Sequence, residues 1–266
     1  MKPQVKPDDV EVLKKWAQFR RGYVPRRRLQ RDWNAVLRLI HAAQPCLDEE
    51  AEKLNNLFDD WSRRFGGLQD PLLTDLGVHR WLGRETSYSD WLAWVLERLP
   101  TRSVLDVLGV QPPFDPNSAG RVAVYREYPL DGRFIDLLVH FDAQPQYAIG
   151  VEIKTWDEQY EKQSDYFRSL QARYADPACV LIALREDLGK DVFGFSPRSW
   201  SKVAFVLREQ IAEYVQGSAT RNIIVAAMML GFVAAVEQNL LELPAGPPSK
   251  LTVFSGRLTR YLRGEL

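Results

Sequence analysis

Asp136 stands inside an apolar run, between Ile135 and Leu137-Leu138-Val139. Burying a carboxylate in such a run costs several kcal/mol unless it is paired or bound to a cation. Val151-Glu152-Ile153-Lys154 follows soon after. Alternate side chains of a strand share a face. Glu152 and Lys154 therefore project together, while Val151 and Ile153 point the other way into a core. If the two strands are neighbours, Asp136 lies beside Glu152. Two carboxylates and an ammonium then converge at the end of a sheet. Carboxylate oxygens are what a hard cation such as Mg²⁺ selects. Such a cation lowers the pKa of a bound water and neutralises charge developing on a phosphate. Lys154 can orient that water or meet the charge of the transition state. An ordinary buried ion pair is the alternative reading of the same residues.

The elements that must position these groups are legible around them. Ser87-Tyr88-Ser89-Asp90 offers cap residues ahead of an amphipathic helix reaching about Leu99. Residues 100–120 are Pro-rich and read as a loop with room for a short helix. Three strands are expected, over Arg121–Tyr128, Arg133–Phe141 and Tyr147–Lys154, the first two joined by the turn signal Pro129-Leu130-Asp131-Gly132. A helix over Asp157–Tyr174 and a wholly apolar strand over Cys179–Leu184 follow. Val203–Val206 reads as a further strand, and helices are expected near Leu207–Val215 and Asn222–Leu241. This order implies an α/β core with helices on both faces of the sheet. The first 80 residues read as a separate helical region, punctuated by Pro25, Pro45 and Gly66-Gly67.

Asp136, Glu152-Ile153-Lys154 and this element order resemble the PD-(D/E)xK phosphodiesterase superfamily, whose fold is restriction-endonuclease-like. The resemblance spans roughly residues 80–240 and is closest to the bacterial, defence-associated branch. It is carried by Glu85 with Ser89-Asp90-Trp91-Leu92-Ala93-Trp94 before the sheet, by Arg133 ahead of Asp136, and by Gln163 with Tyr166 on the following helix. Trp200 matches a Trp that precedes the later helices. One departure is that the expected Gln-x-x-x-Tyr spacing falls on Phe167, with Tyr166 one residue early. The resemblance implies that Asp136, Glu152 and Glu85 hold the metal, Mg²⁺ or Mn²⁺, with help from the Ile153 carbonyl. Lys154 positions the attacking water, and Gln163 contacts a phosphate or steadies the site. On the residues alone, Glu85 equally suits an exposed first-turn position favoured by the helix dipole. Glu127, on the first strand, could complete the carboxylate cluster instead, but reads more simply as a solvent-facing strand residue beside Arg126.

The rest of the chain narrows the function by exclusion. The 266 residues balance 35 Lys+Arg against 35 Asp+Glu, which excludes a uniformly basic protein but not a basic patch. Such a patch exists: Arg20, Arg21, Arg26, Arg27, Arg28 and Arg31 crowd the N-terminal region. Arg26, Arg27 and Arg28 are candidates for phosphate contact, and Trp156 for stacking on a base. A solvated helix face is the alternative for the arginines. Cys46 and Cys179 form no CxxC, and His41, His79 and His140 have no zinc spacing. No Gly-rich phosphate loop suggests ATP use. The longest apolar run, Ile223–Val236, is too short for a membrane span, which needs about 20 residues. With no apolar run behind the first lysines, a cytoplasmic location is expected. The leading expectation is a metal-dependent endonuclease acting on DNA in restriction or anti-phage defence, as a homodimer or with a partner protein. A catalytically silent assembly module of the same fold and an RNA-cleaving toxin are the alternatives.

Overall fold

The computed structural model describes residues 26–74, 83–156, 163–184, 194–217, 223–246 and 255–266, without the side chains of residues 26–32, 34, 47 and 255. Arg20, Arg21, His79 and residues 157–162 lie outside the described residues, as do the side chains of Arg26, Arg27 and Arg28.

The architecture is α/β. Helix α1 (Arg26–Arg64) and the short α2 (Pro71–Thr74) lead into α3 (Glu85–Leu96) and α4 (Thr101–Leu108). A mixed five-strand sheet follows, in the spatial order β1-β2-β3-β4-β5. Strands β1 (Val122–Leu130), β2 (Arg133–Phe141) and β3 (Ala148–Ile153) form an antiparallel meander. Helix α5 (Gln163–Arg173) crosses to β4 (Ala178–Ala183), parallel to β3, and β5 (Ser196–Ser199) runs parallel to β4. Helices α6 (Trp200–Gly217), α7 (Ile223–Asn239) and α8 (Ser255–Leu262) complete the described chain.

The β1–β2 hairpin closes through Asp131 and Gly132 alone. Both have positive φ, 48° and 85°, as a two-residue primed turn requires. The sheet has two apolar faces. Leu137, Val139, Val151 and Ile153 face the larger cluster, built with α3, α4, α6, α7 and the C-terminal half of α1. Leu138, Ala148, Cys179 and Leu181 face a smaller cluster closed by Tyr166 and Leu170 of α5. All six residues of β3 are buried. Gly150 lets α5 come down onto this face: a Cβ there would meet Leu170 Cδ1 at 2.5 Å and Ile135 Cδ1 at 2.8 Å.

Three expectations from sequence change. Val203–Val206 is helical within α6, and the fifth strand is Ser196–Ser199 instead. That strand has no apolar periodicity; the free edge of β4 organises it through backbone pairing. Helix α1 passes through Pro45 without a break. Proline removes one helical hydrogen bond and crowds the preceding turn. Here Pro45 and the turn before it are exposed, so water can satisfy the released carbonyl. The C-terminal half of α1 shares its core with the helices after the sheet, through Leu54, Phe58, Trp61 and Phe65. Arg208 sits fully buried in that core, paired with Asp70 and Glu237, and Tyr261 donates to Glu237.

Candidate functional site

The site forms where β2 leaves β3. Their pairing runs from Leu137–Val151 to His140–Ala148, and Asp136 lies just past its end. There the Asp136 carboxylate accepts the Ile153 amide proton, with Oδ2 at 2.7 Å. The side chain stands where a strand carbonyl would otherwise serve that amide. The strand turns at this point: Ile135 and Leu138, three residues apart, pack in one cluster while Leu137 faces the other. Strict alternation forbids that. The neighbouring strand bends too. Glu127, between the pairs Arg126–Leu137 and Tyr128–Ile135 and so opposite Asp136, has φ of 45°. A non-glycine residue in that region is strained, and such strain collects at functional sites.

Glu152 and Lys154 leave β3 on one face, as alternation requires. Lys154 Nζ lies 3.1 Å from Glu152 Oε1, with the two side chains 14% and 6% exposed. Lys154 is held at both ends of its backbone. Its amide donates to Ile182 O at 2.8 Å, and its carbonyl accepts from Trp200 Nε1 at 3.0 Å. Trp200 reaches it because Ser199 caps α6, its Oγ accepting from the Lys202 amide. Trp200 opens that helix with its indole fully buried.

Glu85, the first residue of α3, is half-buried rather than exposed. Its Oε2 accepts from the Thr155 amide at 3.1 Å and the Thr155 hydroxyl at 3.0 Å. This ties the helix start to the residue after Lys154. An ion pair between Arg126 of β1 and Asp90 anchors the same helix to the sheet. Tyr166 braces β2 from the other side, its hydroxyl donating to Phe134 O at 2.8 Å, two residues before Asp136. Tyr166 is buried and Phe167 half-buried, so the tyrosine that meets the sheet is the one standing a residue early.

The buried polar atoms with no hydrogen-bond partner among the described residues include Glu152 Oε2 and both amide atoms of Gln163, which is fully buried at the start of α5. An unpaired buried polar atom costs about 1–3 kcal/mol and calls for an explanation such as an ion or water. The carboxylates are perturbed as well. Burial raises Asp136 to about 6, against the stabilising Ile153 amide. Burial, then the Asp136 charge, raises Glu152 to about 7, although Lys154 pulls the other way. Burial opposes the charge of Lys154, yet the attraction of Glu152 outweighs it and lifts the lysine above its ordinary value.

The structure thus brings Asp136, Glu152 and Lys154 into one largely buried cluster. Glu85 is held beside it through Thr155, and Glu85 and Glu127 both act electrostatically on Asp136. Among the described residues, no group of three or more His, Cys, Asp or Glu side chains is arranged to hold a metal ion. The buried pair Asp136 and Glu152, with one Glu152 oxygen lacking a partner among the described residues, is a donor set that suits a hard cation. Trp156, two residues after Lys154, is 58% exposed and edge-on to Tyr88. Trp91 and Trp94 are half-buried against each other. His140 is taken up elsewhere, its Nε2 2.8 Å from Tyr174 Oη. Sequence reasoning passed over Thr155 and the Ser199 cap. Thr155 carries no local signal, because its partner Glu85 lies 70 residues away, whereas the Ser199 cap is local, a serine three residues before the Lys202 amide it accepts from.

No helix among the described residues is long and apolar enough to cross a membrane. Compared with family models, curated proteins and solved structures, the chain matches none of them.

Proposed function

We propose that this chain is a metal-dependent nuclease with a restriction-endonuclease-like core, hydrolysing phosphodiester bonds in DNA. The observation that carries the reading is the buried cluster of Asp136, Glu152 and Lys154. Its two carboxylates are held above their ordinary pKa, and Glu152 Oε2 has no hydrogen-bond partner among the described residues. A purely structural ion pair has no need of a second buried carboxylate or an unsatisfied oxygen. The order of helix, antiparallel meander, helix and parallel strand around the cluster supports the same fold.

Asp136, Glu152 and the Ile153 carbonyl would hold a divalent cation, Mg²⁺ or Mn²⁺, with Glu85 as a further carboxylate. When bound, such a cation supplies charge neutralisation at the phosphoryl oxygens and an acidified water. The protein's own groups do the positioning. Lys154, fixed through its backbone, directs its ammonium toward a water or the phosphate. Gln163 offers its amide to a phosphate oxygen. Trp156 stacks on an exposed base, and the basic residues Arg26, Arg27 and Arg28 hold the phosphate backbone. A role in restriction or anti-phage defence accords with a DNA-cutting activity of this kind.

The direct test incubates the purified chain with plasmid DNA and with single-stranded RNA, each with Mg²⁺, Mn²⁺ or EDTA. Glu152→Ala and Lys154→Ala variants run in parallel. The expected result is cutting of DNA that EDTA and both substitutions abolish. Cutting of RNA alone reassigns the substrate. Cutting that survives the substitutions removes the site assignment. Absence of cutting by any form leaves a binding module.

A further inference from the structure

Among the described residues four aromatic side chains are exposed: Trp33, Tyr125, Phe134 and Trp156. Two of them bracket the candidate site. Phe134 stands two residues before Asp136, and Trp156 two residues after Lys154. Strands β2 and β3 run antiparallel, so the start of one and the end of the other lie at the same end of the sheet. The Asp136–Ile153 hydrogen bond joins them there. By chain length alone, the Phe134 backbone is within about 7 Å of Asp136 and the Trp156 backbone within about 11 Å of Ile153. Both rings stand on fixed backbone. The Phe134 carbonyl accepts from the Tyr166 hydroxyl, and Trp156 follows the Thr155 that Glu85 holds. The rings themselves stay open. Phe134 is 62% exposed, and Trp156 meets Tyr88 only edge-on, with 6.0 Å between ring centroids. Tyr125, by contrast, is taken up by the rings of Tyr128 and His140.

Resting on the nuclease reading, we propose that this end of the sheet takes a DNA strand whose bases are unpaired. Phe134 and Trp156 each stack on a base, and the cluster of Asp136, Glu152 and Lys154 acts on the strand's phosphodiester. An unpaired base has a free π-face, whereas in a duplex that face is covered by the next base. Stacking on an aromatic side chain is worth about 1–3 kcal/mol per base and tolerates any sequence. Charge supports the same choice. Duplex binding draws much of its strength from many basic contacts to phosphates. Here Glu85 and Glu127 add their charge to that of Asp136 and Glu152. The cations beside them are already paired, Lys154 with Glu152 at 3.1 Å and Arg133 with Asp165 at 2.8 Å. The Arg133–Asp165 pair is nearly half exposed on both sides. Exposed pairs are worth only about 0–1 kcal/mol, so a phosphate can take the place of Asp165. One such phosphate contact directly before Phe134, with two open rings, suits a single strand better than the phosphate rows of a duplex. Negatively supercoiled plasmid presents single strands where it opens locally.

Two measurements on the full chain test it. One compares cleavage of single-stranded circular DNA with cleavage of its relaxed duplex, each with Mg²⁺. The other follows the anisotropy of a labelled oligodeoxythymidine with Ca²⁺ in place of Mg²⁺, which reads binding apart from cutting. Single strands should be cut at least about tenfold faster than the duplex. Phe134→Ala and Trp156→Ala should each weaken oligonucleotide binding and raise KM at least about fivefold, with kcat changed less. Phe134→Tyr and Trp156→Phe keep a ring and should retain most of the affinity. Arg133→Ala should reduce the slope of log affinity against log salt by about 0.7, the share of one single-strand phosphate. A duplex cut as fast as the single strand, an oligonucleotide that does not bind, or binding that survives loss of both rings overturns the proposal; cutting seen alongside any of these leaves the nuclease reading in place. Ring-dependent binding with no cutting of any DNA sinks the nuclease reading and supports the strand site. Tighter binding of an oligouridine overturns DNA as the strand.

Discussion

The Asp136 carboxylate accepts the Ile153 amide proton at 2.7 Å, and so links the strand that bears one candidate ligand to the strand that bears Glu152 and Lys154. Asp136 therefore has two separable jobs. One is to satisfy a strand amide where β2 and β3 part; the other is to present charge beside Glu152 and Lys154. Asp136→Asn keeps an acceptor for Ile153 and removes the charge. It should fold with wild-type or higher thermal stability and lose DNA cleavage by at least about a hundredfold, as expected for a group acting on the transition state. Asp136→Ala removes both and should also cost about 1–3 kcal/mol in urea denaturation. Equal stability of the two variants would remove the structural job.

The raised carboxylates make stability depend on pH in a definite direction. In the folded chain Asp136 titrates near 6 and Glu152 near 7, above the values of 3.8 and 4.5 they start from. The folded state thus binds protons more tightly than the unfolded one. Their contribution is most favourable below about pH 4, declines as pH rises toward 7, and stays low above it. Thermal melts without divalent cation should show Glu152→Gln gaining on wild type from pH 5 to pH 8. Mg²⁺ at pH 8 should raise the wild-type midpoint and leave Glu152→Gln nearly unmoved. A gap that stays constant with pH would count against the buried-charge account.

Thr155 holds Glu85 through both its amide and its hydroxyl. Thr155→Val removes only the hydroxyl and preserves shape. If Glu85 serves the cation, this variant should raise the Mg²⁺ concentration needed for half-maximal cleavage by about tenfold, the size expected for an outer-shell partner of a ligand. Its maximal rate at saturating Mg²⁺ should change less. An unchanged Mg²⁺ dependence would make Glu85 a tether for α3 alone.

Gly150 allows α5 to approach the sheet, with Leu170 Cδ1 2.5 Å from where a Cβ would be. Gly150→Ala should cost about 1–3 kcal/mol as an overpacked core. Because α5 carries Gln163 and Tyr166, cleavage should fall with it. Leu170→Ala in the same background should recover part of the stability, measurable as a double-mutant cycle.

Arg208 is wholly buried between Asp70 and Glu237 and lies over the rings of Trp61 and Phe65. Arg208→Met would leave two buried carboxylates without their cation. It should destabilise the chain by about 3–5 kcal/mol, read as a lowered midpoint in urea. A loss below about 1 kcal/mol would mean that the carboxylates are relieved by protonation or water.

Much of the core could be read from residue order. An aspartate in an apolar run, followed by Glu-x-Lys on an alternating strand, states its own periodicity, and the meander between them follows from turn residues such as Asp131-Gly132. Those features are local: they depend on the period of a strand and on which residues tolerate positive φ. The parting of β2 from β3 at Asp136, the bend at Glu127 and the hold of Thr155 on Glu85 were not legible, since each joins residues on different elements. The same holds for β5, whose residues Ser196–Ser199 have no strand pattern and pair because β4 offers an edge. It holds also for Arg208, whose partners lie 138 and 29 residues away. Sequence alone determined which side chains could do chemistry and which strands carry them. Tertiary structure decided which of them meet, because burial, desolvation and hydrogen-bond satisfaction are set by neighbours that only the folded chain supplies.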